Sequence, residues 1–336
     1  MAYEVWSRNT TVRNPNRIKA FLSSLKELEG QIFNKETQAE FFKLIIQKRL
    51  FTPTKNTLND KNLISHVYPD NLEEVGDIPD EIAEEIIKCY KDRSVDAAGR
   101  GRTAVAPINQ IGLAIARKAF GKVKITKLGN LLLEDKINLQ EMYLRHFLKW
   151  QYPNPIERNR NDYNIIPFLG ALHLIQKVNE EWKNNKNDPV GLSYNEFTHF
   201  VSSLKDYKNI EKYTKEIIKF RKKKKKLPYK DRVKWVSKYY EDRVVDLFDI
   251  SDQKDIEKIK RKQDDLFDYS DSIIRYFRQT GFIYFRGSGR YIDLSVEKET
   301  EISRLLEWSD GSAKHFEDEI DYINYLQNIE KPDLPW

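Results

Sequence analysis

Apolar residues recur at helical spacing along most of the chain. In residues 17–30 the side chains of Ile18, Phe21 and Leu25 fall on one face of a helix, because a helical turn holds about 3.6 residues. The same spacing predicts further helices over 36–48, 78–92, 139–150, 165–182, 193–204, 210–226, 265–281 and 296–308. The pattern is that of a mainly helical protein.

Three segments depart from this spacing. Residues 97–114 contain Gly99, Gly101 and Pro107, which predict a loop. Residues 122–133 predict a strand, a turn and a short helix. Residues 282–294 alternate apolar and polar positions on both sides of Gly-Ser-Gly, which predicts a tight β-hairpin.

Helices followed by a small hairpin occur in both halves of the chain and outline winged-helix or helix-turn-helix domains. The predicted fold class is therefore α+β, mostly α-helical, with two such domains. Ser193 and Glu196 have the spacing of a helix-capping box. We expect an N-terminal arm over 1–17, a first domain over 18–150, a linker over 151–160, a second domain over 161–310 and an acidic tail over 311–336.

Composition narrows the class of protein. The chain has 336 residues, with 33% charged and 40% hydrophobic residues, which is typical of a folded soluble protein. We find no apolar run of about 18 residues that could span a membrane and no signal peptide at the N-terminus. A single cysteine, Cys89, fits a reducing compartment, so we expect a cytoplasmic protein.

The distribution of charge favours a polyanionic partner. The net charge is +6, yet residues 311–336 contain two lysines and six carboxylates. The rest of the chain is therefore more basic than the total indicates. A basic surface binds nucleic acid by releasing counterions.

The sequence contains no complete catalytic centre or metal site that we can identify. The five histidines lack metal-ligand spacing. A magnesium-dependent nuclease needs clustered carboxylates with a lysine, and the segment Glu134-Asp135-Lys136 has no matching aspartate on a buried strand. We therefore assign no catalytic and no metal-binding residue.

Groups suited to DNA are more abundant. The N-terminal arm offers arginines with amide and hydroxyl side chains, and this mixture suits base edges. The lysine run from 222 offers point charges suited to phosphates. The predicted DNA-binding residues are Arg8, Asn9, Thr10, Arg13, Asn14, Arg17, Arg100, Arg102, Thr103, Arg221, Lys222, Lys223, Lys224, Arg275, Arg278, Arg286 and Arg290.

Four sequence blocks resemble one known family. They are WSRNTTVRNPNRI, GRTAVAPINQIGL leading into ITKLGNLLL, LRHFLKWQYPNP, and IIRYFRQTGFIYFRGSGRYIDL. In this order they are similar to the AlwI-like type IIS restriction and nicking endonucleases. The resemblance implies an N-terminal recognition region of two winged-helix-like domains that reads a short asymmetric site. It also implies a C-terminal PD-(D/E)XK nuclease domain that uses Mg²⁺.

The resemblance places the end of this chain near the start of the linker to that nuclease domain. We therefore expect a recognition region that binds double-stranded DNA as a monomer and does not cleave it alone. Mg²⁺ is expected only for the absent nuclease domain, and a nuclease domain or subunit is a possible partner. No membrane partner is expected.

Two alternatives stay open. A plasmid replication initiator or transcriptional repressor also uses two winged helices, but it predicts dimers and a palindromic or iterated site. A nuclease active alone predicts magnesium-dependent nicking by this chain.

Overall fold

Helices make up most of the structure, as the spacing of apolar residues predicts. The computed structural model describes residues 5–8, 10–58, 60–71, 75–91, 95–157, 160–251 and 255–328. The chain folds as two compact units. Residues 11–138 form the small unit, and residues 1–10 with 139–336 form the large unit.

The small unit is a helical layer with a short sheet. Its elements are α1 (Ile18–Lys26), α2 (Lys35–Gln47), α3 (Lys55–Leu58), α4 (Lys61–Val67), α5 (Asp80–Lys88), α6 (Ala97–Ile111), β1 (Ala114–Ile115), β2 (Lys124–Ile125) and α7 (Lys127–Leu133). Strands β1 and β2 are antiparallel, with Ala114 opposite Ile125. Ahead of β2, Lys122 pairs with Ile32, which lies between α1 and α2.

The structure corrects the prediction of a loop over 97–114. Most of this segment is α6, whose N-terminus is capped by the Asp96 carboxylate accepting from the Gly99 amide at 2.7 Å. The helix ends at Gly112, which has a left-handed conformation with φ of 83°. Packing against α2 outweighs the low helix propensity of the glycines.

The large unit contains the longer helices and a three-stranded sheet. Its elements are α8 (Leu139–Phe147), α9 (Pro167–Asn184), β3 (Leu192–Ser193), α10 (Tyr194–Glu196), α11 (Ile210–Lys226), α12 (Tyr229–Leu247), α13 (Ile256–Arg278), β4 (Ile283–Arg286), β5 (Tyr291–Leu294), α14 (Glu299–Trp308) and α15 (Glu319–Gln327). A π-helical turn, Phe197–Val201, follows α10.

Two predictions for the large unit are confirmed. The segment 282–294 is a hairpin, with β4 and β5 antiparallel and Ile283 opposite Leu294. Ser193 and Glu196 form a capping box. Strand β3 pairs with β5, so the strand order is β3-β5-β4.

The two units share one order of elements. In each, a helix, a short segment that pairs near the later hairpin and a second helix are followed by additional helices, then by a long helix and a hairpin. In the small unit the segment between the first two helices forms a single bridge, Ile32 with Lys122, just ahead of β2, whereas in the large unit β3 pairs with β5. The additional helices are α3 to α5 in the small unit and α11 and α12 in the large unit.

The boundaries of the units differ from the predicted domains. Helix α8 belongs to the large unit. Described residues of the expected linker over 151–160 pack into the large unit, since Tyr152 is fully buried and Arg160 is 2% exposed. The expected tail packs as well, because Tyr322 of α15 is buried and the Gln151 and Lys314 segments exchange hydrogen bonds. The remainder of the tail, 329–336, lies outside the described residues.

The N-terminal segment is also not the extended arm that the sequence predicts. Trp6 is fully buried in the large unit, where its indole nitrogen donates to the Leu204 carbonyl oxygen at 2.7 Å. Pro15–Arg17 forms a 3-10 turn at the start of the small unit. These contacts hold the segment against folded structure.

In the described part of the chain, no helix is long and apolar enough to cross a membrane. Over the same residues, no group of three or more His, Cys, Asp or Glu side chains is arranged to hold a metal ion.

Candidate nucleic-acid interface

The first two turns of α6 present the polar side chains that the sequence singles out in the small unit. Arg100, Arg102 and Thr103 are exposed. The Arg100 guanidinium lies 5.9 Å from the centre of the Tyr90 ring. Thr103 donates its hydroxyl to the Gly99 carbonyl oxygen at 2.8 Å. The N-terminal end of a helix also carries a partial positive charge, which favours a phosphate nearby.

The opposite face of α6 fixes this orientation. Gly101 lies against α2 so closely that a Cβ atom there would be 1.8 Å from the backbone oxygen of Gln38. Ala104, Val105 and Ile108 are buried. Because this face is held against the core, the two arginines on either side of Gly101 point to solvent.

The N-terminal residues of the small unit divide into two groups. Arg13 and Asn14 are exposed. Arg17 is half-buried and donates to the Arg49 carbonyl oxygen at 2.7 Å, and burial lowers its pKa. The Asn14 side chain caps the 3-10 turn by accepting from the Asn16 amide at 3.1 Å. Arg17 therefore holds the fold, while Arg13 and Asn14 lie at the surface.

The structure does not support the predicted DNA contact at Arg8. This side chain is 2% exposed and its guanidinium lies 4.3 Å from the Tyr276 ring centre and 5.0 Å from that of Phe147. A cation enclosed by aromatic rings stabilises the core and is not exposed for contact with DNA. Thr10 is half-buried, and Asn9 lies outside the described residues.

The cationic run on α11 is split between core and surface. Arg221 is 8% exposed and donates from Nε and Nη2 to the two carboxylate oxygens of Glu196, each at 2.8 Å. The predicted DNA contact at Arg221 is corrected accordingly. Lys222, Lys223 and Lys224 are exposed. Consecutive residues point in successive directions around a helix, so a cationic run has members on both the inner and the outer side.

One face of α11 carries more lysine than the sequence prediction includes. Lys215, Lys219, Lys222, Lys223 and Lys226 line a single shallow groove with Ile218 and with Glu181 of α9. The list of predicted contacts omits Lys226, and it omits Lys215 and Lys219 because it rests on the consecutive run alone. Helical spacing of lysines across the whole of 210–226 is the signal that finds them.

The arginines at the hairpin are arranged around β4. Arg290 is exposed beside the turn, and Arg278 is exposed with its guanidinium 4.3 Å from the Phe285 ring centre. Arg286 is exposed and bonds to the Pro189 carbonyl oxygen and Asp293. Arg275 is exposed and pairs with Asp271 at 2.7 Å, and this hydrogen bond raises its pKa. Arg275 and Arg286 thus form ion pairs with carboxylates, whereas among the described residues Arg278 and Arg290 form none.

Two histidines packed within the large unit are structural. His146 is 1% exposed, and burial lowers its pKa well below the ordinary value. The ring of His199 stacks on Tyr240 with centres 4.3 Å apart, and burial lowers its pKa to about 3. Both are uncharged at neutral pH, so neither supplies positive charge to the surface.

The fold and surface are those of a helical protein with cationic helix faces. Within the part of the chain that the structure describes, no metal centre is found. The family model described as AlwI restriction endonuclease matches residues 109–336, which is more than half of the chain. No curated protein matches the chain. The chain therefore belongs to the AlwI restriction endonuclease family.

Proposed function

We propose that the chain reads a short, asymmetric sequence in double-stranded DNA for a type IIS restriction system, and that α6 makes the base contacts. The carrying observation is the set of exposed polar side chains on the first two turns of α6: Arg100, Arg102 and Thr103. In helix-turn-helix proteins, the N-terminal residues of the recognition helix contact base edges.

The order of elements supports winged-helix units. In the small unit, α6 directly precedes the hairpin of β1 and β2, and Ile32 forms a single bridge with Lys122 beside this two-stranded sheet. The large unit repeats this order with α13, β4 and β5. Most of α6 precedes the range that the family model matches, and its geometry alone supports this role.

The chemistry of the exposed side chains fits base reading. Arginine donates two parallel hydrogen bonds to guanine O6 and N7 in the major groove. Threonine can contact either a base or a phosphate. Arg13 and Asn14 lie elsewhere on the surface of the small unit and are further candidates for contacts. Around the hairpin of the large unit, Arg275, Arg278, Arg286 and Arg290 are proposed to position the duplex backbone.

The test compares binding to two duplexes, one enriched from a random pool and one with the same bases scrambled. Replacing Arg100 and Arg102 by Gln should reduce affinity for the enriched duplex by about 5- to 150-fold for each guanine that is no longer bound, because such a pair of hydrogen bonds is worth about 1–3 kcal/mol. Affinity for the scrambled duplex should fall much less.

The matched control is Lys61→Gln, which removes an exposed cation from α4 of the same unit. It should leave the ratio of the two affinities unchanged. An equal reduction of affinity for both duplexes in the Arg100 and Arg102 variant would reject α6 as the reading helix.

A further inference from the structure

The lysine face of α11, defined as Lys215, Lys219, Lys222, Lys223 and Lys226, forms one continuous stripe. Successive members are separated by four, three, one and three residues, so they share a helix face. At a rise of 1.5 Å per residue, the stripe is about 16 Å long. All five are exposed and line the same groove.

The large unit holds this stripe in a fixed direction. On the other side of α11, Arg221 is bound by both carboxylate oxygens of Glu196 and by the Gly191 carbonyl oxygen at 2.5 Å. Ile217 and Phe220 are also buried there. A bidentate pair sets the rotation of the helix about its axis, so the lysines cannot turn into the core.

Few carboxylates balance the stripe. Residues 219–234 contain ten lysines and arginines and one acid, Asp231. Lys215 pairs with Glu211 at 3.3 Å, whereas among the described residues no carboxylate lies within ion-pair distance of Lys219, Lys222 or Lys226. Neighbouring like charges repel, and a polyanion that binds along the stripe relieves this repulsion.

The type of residue indicates how such a partner is bound. Lysine is a flexible point charge that neutralises phosphates and does not impose the geometry needed to discriminate bases. Along the chain, α11 and α12 are inserted into the order of elements that the two units share. Helix α11 is therefore an addition to that common order. These features separate it from the proposed reading helix α6.

We infer that the lysine face of α11 is a second DNA site, which binds duplex phosphates without preference for sequence. The inference rests on the proposed function only for its choice of DNA as the polyanion. The large unit then increases the affinity for DNA of any sequence, whereas α6 discriminates between sequences.

The experiment uses the full chain with Lys219, Lys222 and Lys226 replaced by Gln. Binding to the enriched and scrambled duplexes is measured across a series of salt concentrations. Because each phosphate contact contributes about 0.9 to the slope of log K against log salt, the slope should become shallower by about 2.7 on both duplexes. The ratio of the two affinities should stay constant.

A matched triple variant distinguishes the loss of a binding site from a general reduction of positive charge. Lys183, Lys208 and Lys260 are exposed and lie outside the lysine face, and their replacement by Gln removes the same charge. This control should change the slope by less than one. An equal change in the two triple variants would overturn the inference, as would an unchanged slope or a weakening confined to the enriched duplex.

Failure of this inference is distinguishable from failure of the proposed function. If the chain prefers no sequence, the slope difference between the two triple variants is still measurable on any duplex. Vesicles of anionic phospholipid provide a further arm. Lysine-dependent binding to vesicles with no change in the DNA slope would assign the surface to a membrane and contradict the inference.

Discussion

At the scale of single residues, cations that look alike in sequence have opposite roles. Arg221 and Lys222 are adjacent, yet Arg221 is enclosed with Glu196 and Lys222 faces solvent. The sequence predicts that a cationic run must circle its helix. It does not identify the inward member, because the partner carboxylate lies on another element.

Replacing Glu196 by Gln should strongly destabilise the large unit. The change leaves the Arg221 guanidinium buried without its countercharge, and breaking such a buried pair costs about 3–5 kcal/mol. The free energy of unfolding in urea measures it. Glu241→Gln is the control, since its pair with Lys238 lies at the surface and should contribute at most about 1 kcal/mol. Equal effects of the two changes would contradict the role assigned to Glu196.

His199 should make folding sensitive to acid. Its pKa is lowered from 6.5 to about 3 by burial, so the unfolded chain binds a proton that the folded chain excludes. The stabilisation is fully present above pH 6.5 and is lost as pH falls towards 3. Between about pH 7.5 and about pH 5, this group should remove about 2 kcal/mol of stability.

Unfolding of the His199→Phe variant measured at several pH values checks this linkage. Phenylalanine keeps an aromatic ring against Tyr240 and binds no proton. Its stability should fall less on acidification than that of the unchanged chain. His315→Gln removes an exposed imidazole as the control. A His199→Phe variant with the original pH dependence would refute the assignment.

At the scale of elements, the sequence predicts what local spacing determines. The hairpin of β4 and β5 and the capping box before α10 follow from neighbouring residues, and both are present. Helix α6 is not predicted, because Gly99, Gly101 and Pro107 oppose helix formation locally. Its stability comes from packing against α2, which is distant in sequence. The types of residue therefore identify the candidate site, whereas local helix propensity wrongly places that site on a loop.

Gly101→Ala tests the contact between α6 and α2. In an exposed helix this change would stabilise by about 1 kcal/mol through helix propensity. Here the added Cβ would lie 1.8 Å from the Gln38 backbone oxygen, so the helices must separate. We expect a net destabilisation of about 1–3 kcal/mol from overpacking, measured by urea unfolding.

Gly76→Ala provides the control for Gly101→Ala, because no atom of the residues that the structure describes, chain neighbours aside, lies within 4 Å of a Cβ atom at that position. It should change the free energy of unfolding much less. A Gly101→Ala variant as stable as the original chain would show that the close approach of α2 and α6 is not required.

At the scale of the whole molecule, the sequence predicts two helical units but not their boundaries. Prolines and polar residues in 151–160 resemble a linker, whereas Tyr152 and Arg160 are buried. Trp6 likewise packs in a unit whose other residues begin at 139. Such assignments depend on contacts between distant segments, which composition and periodicity do not encode.

The proposed function of this member of a restriction endonuclease family is the reading of an asymmetric DNA sequence. Its most direct test is selection of bound duplexes from a random pool by the full chain, followed by sequencing. We expect one short asymmetric consensus, with weaker preference at specific positions when Arg100 and Arg102 are replaced by Gln. A palindromic or iterated consensus, or a pool without enrichment, would contradict it.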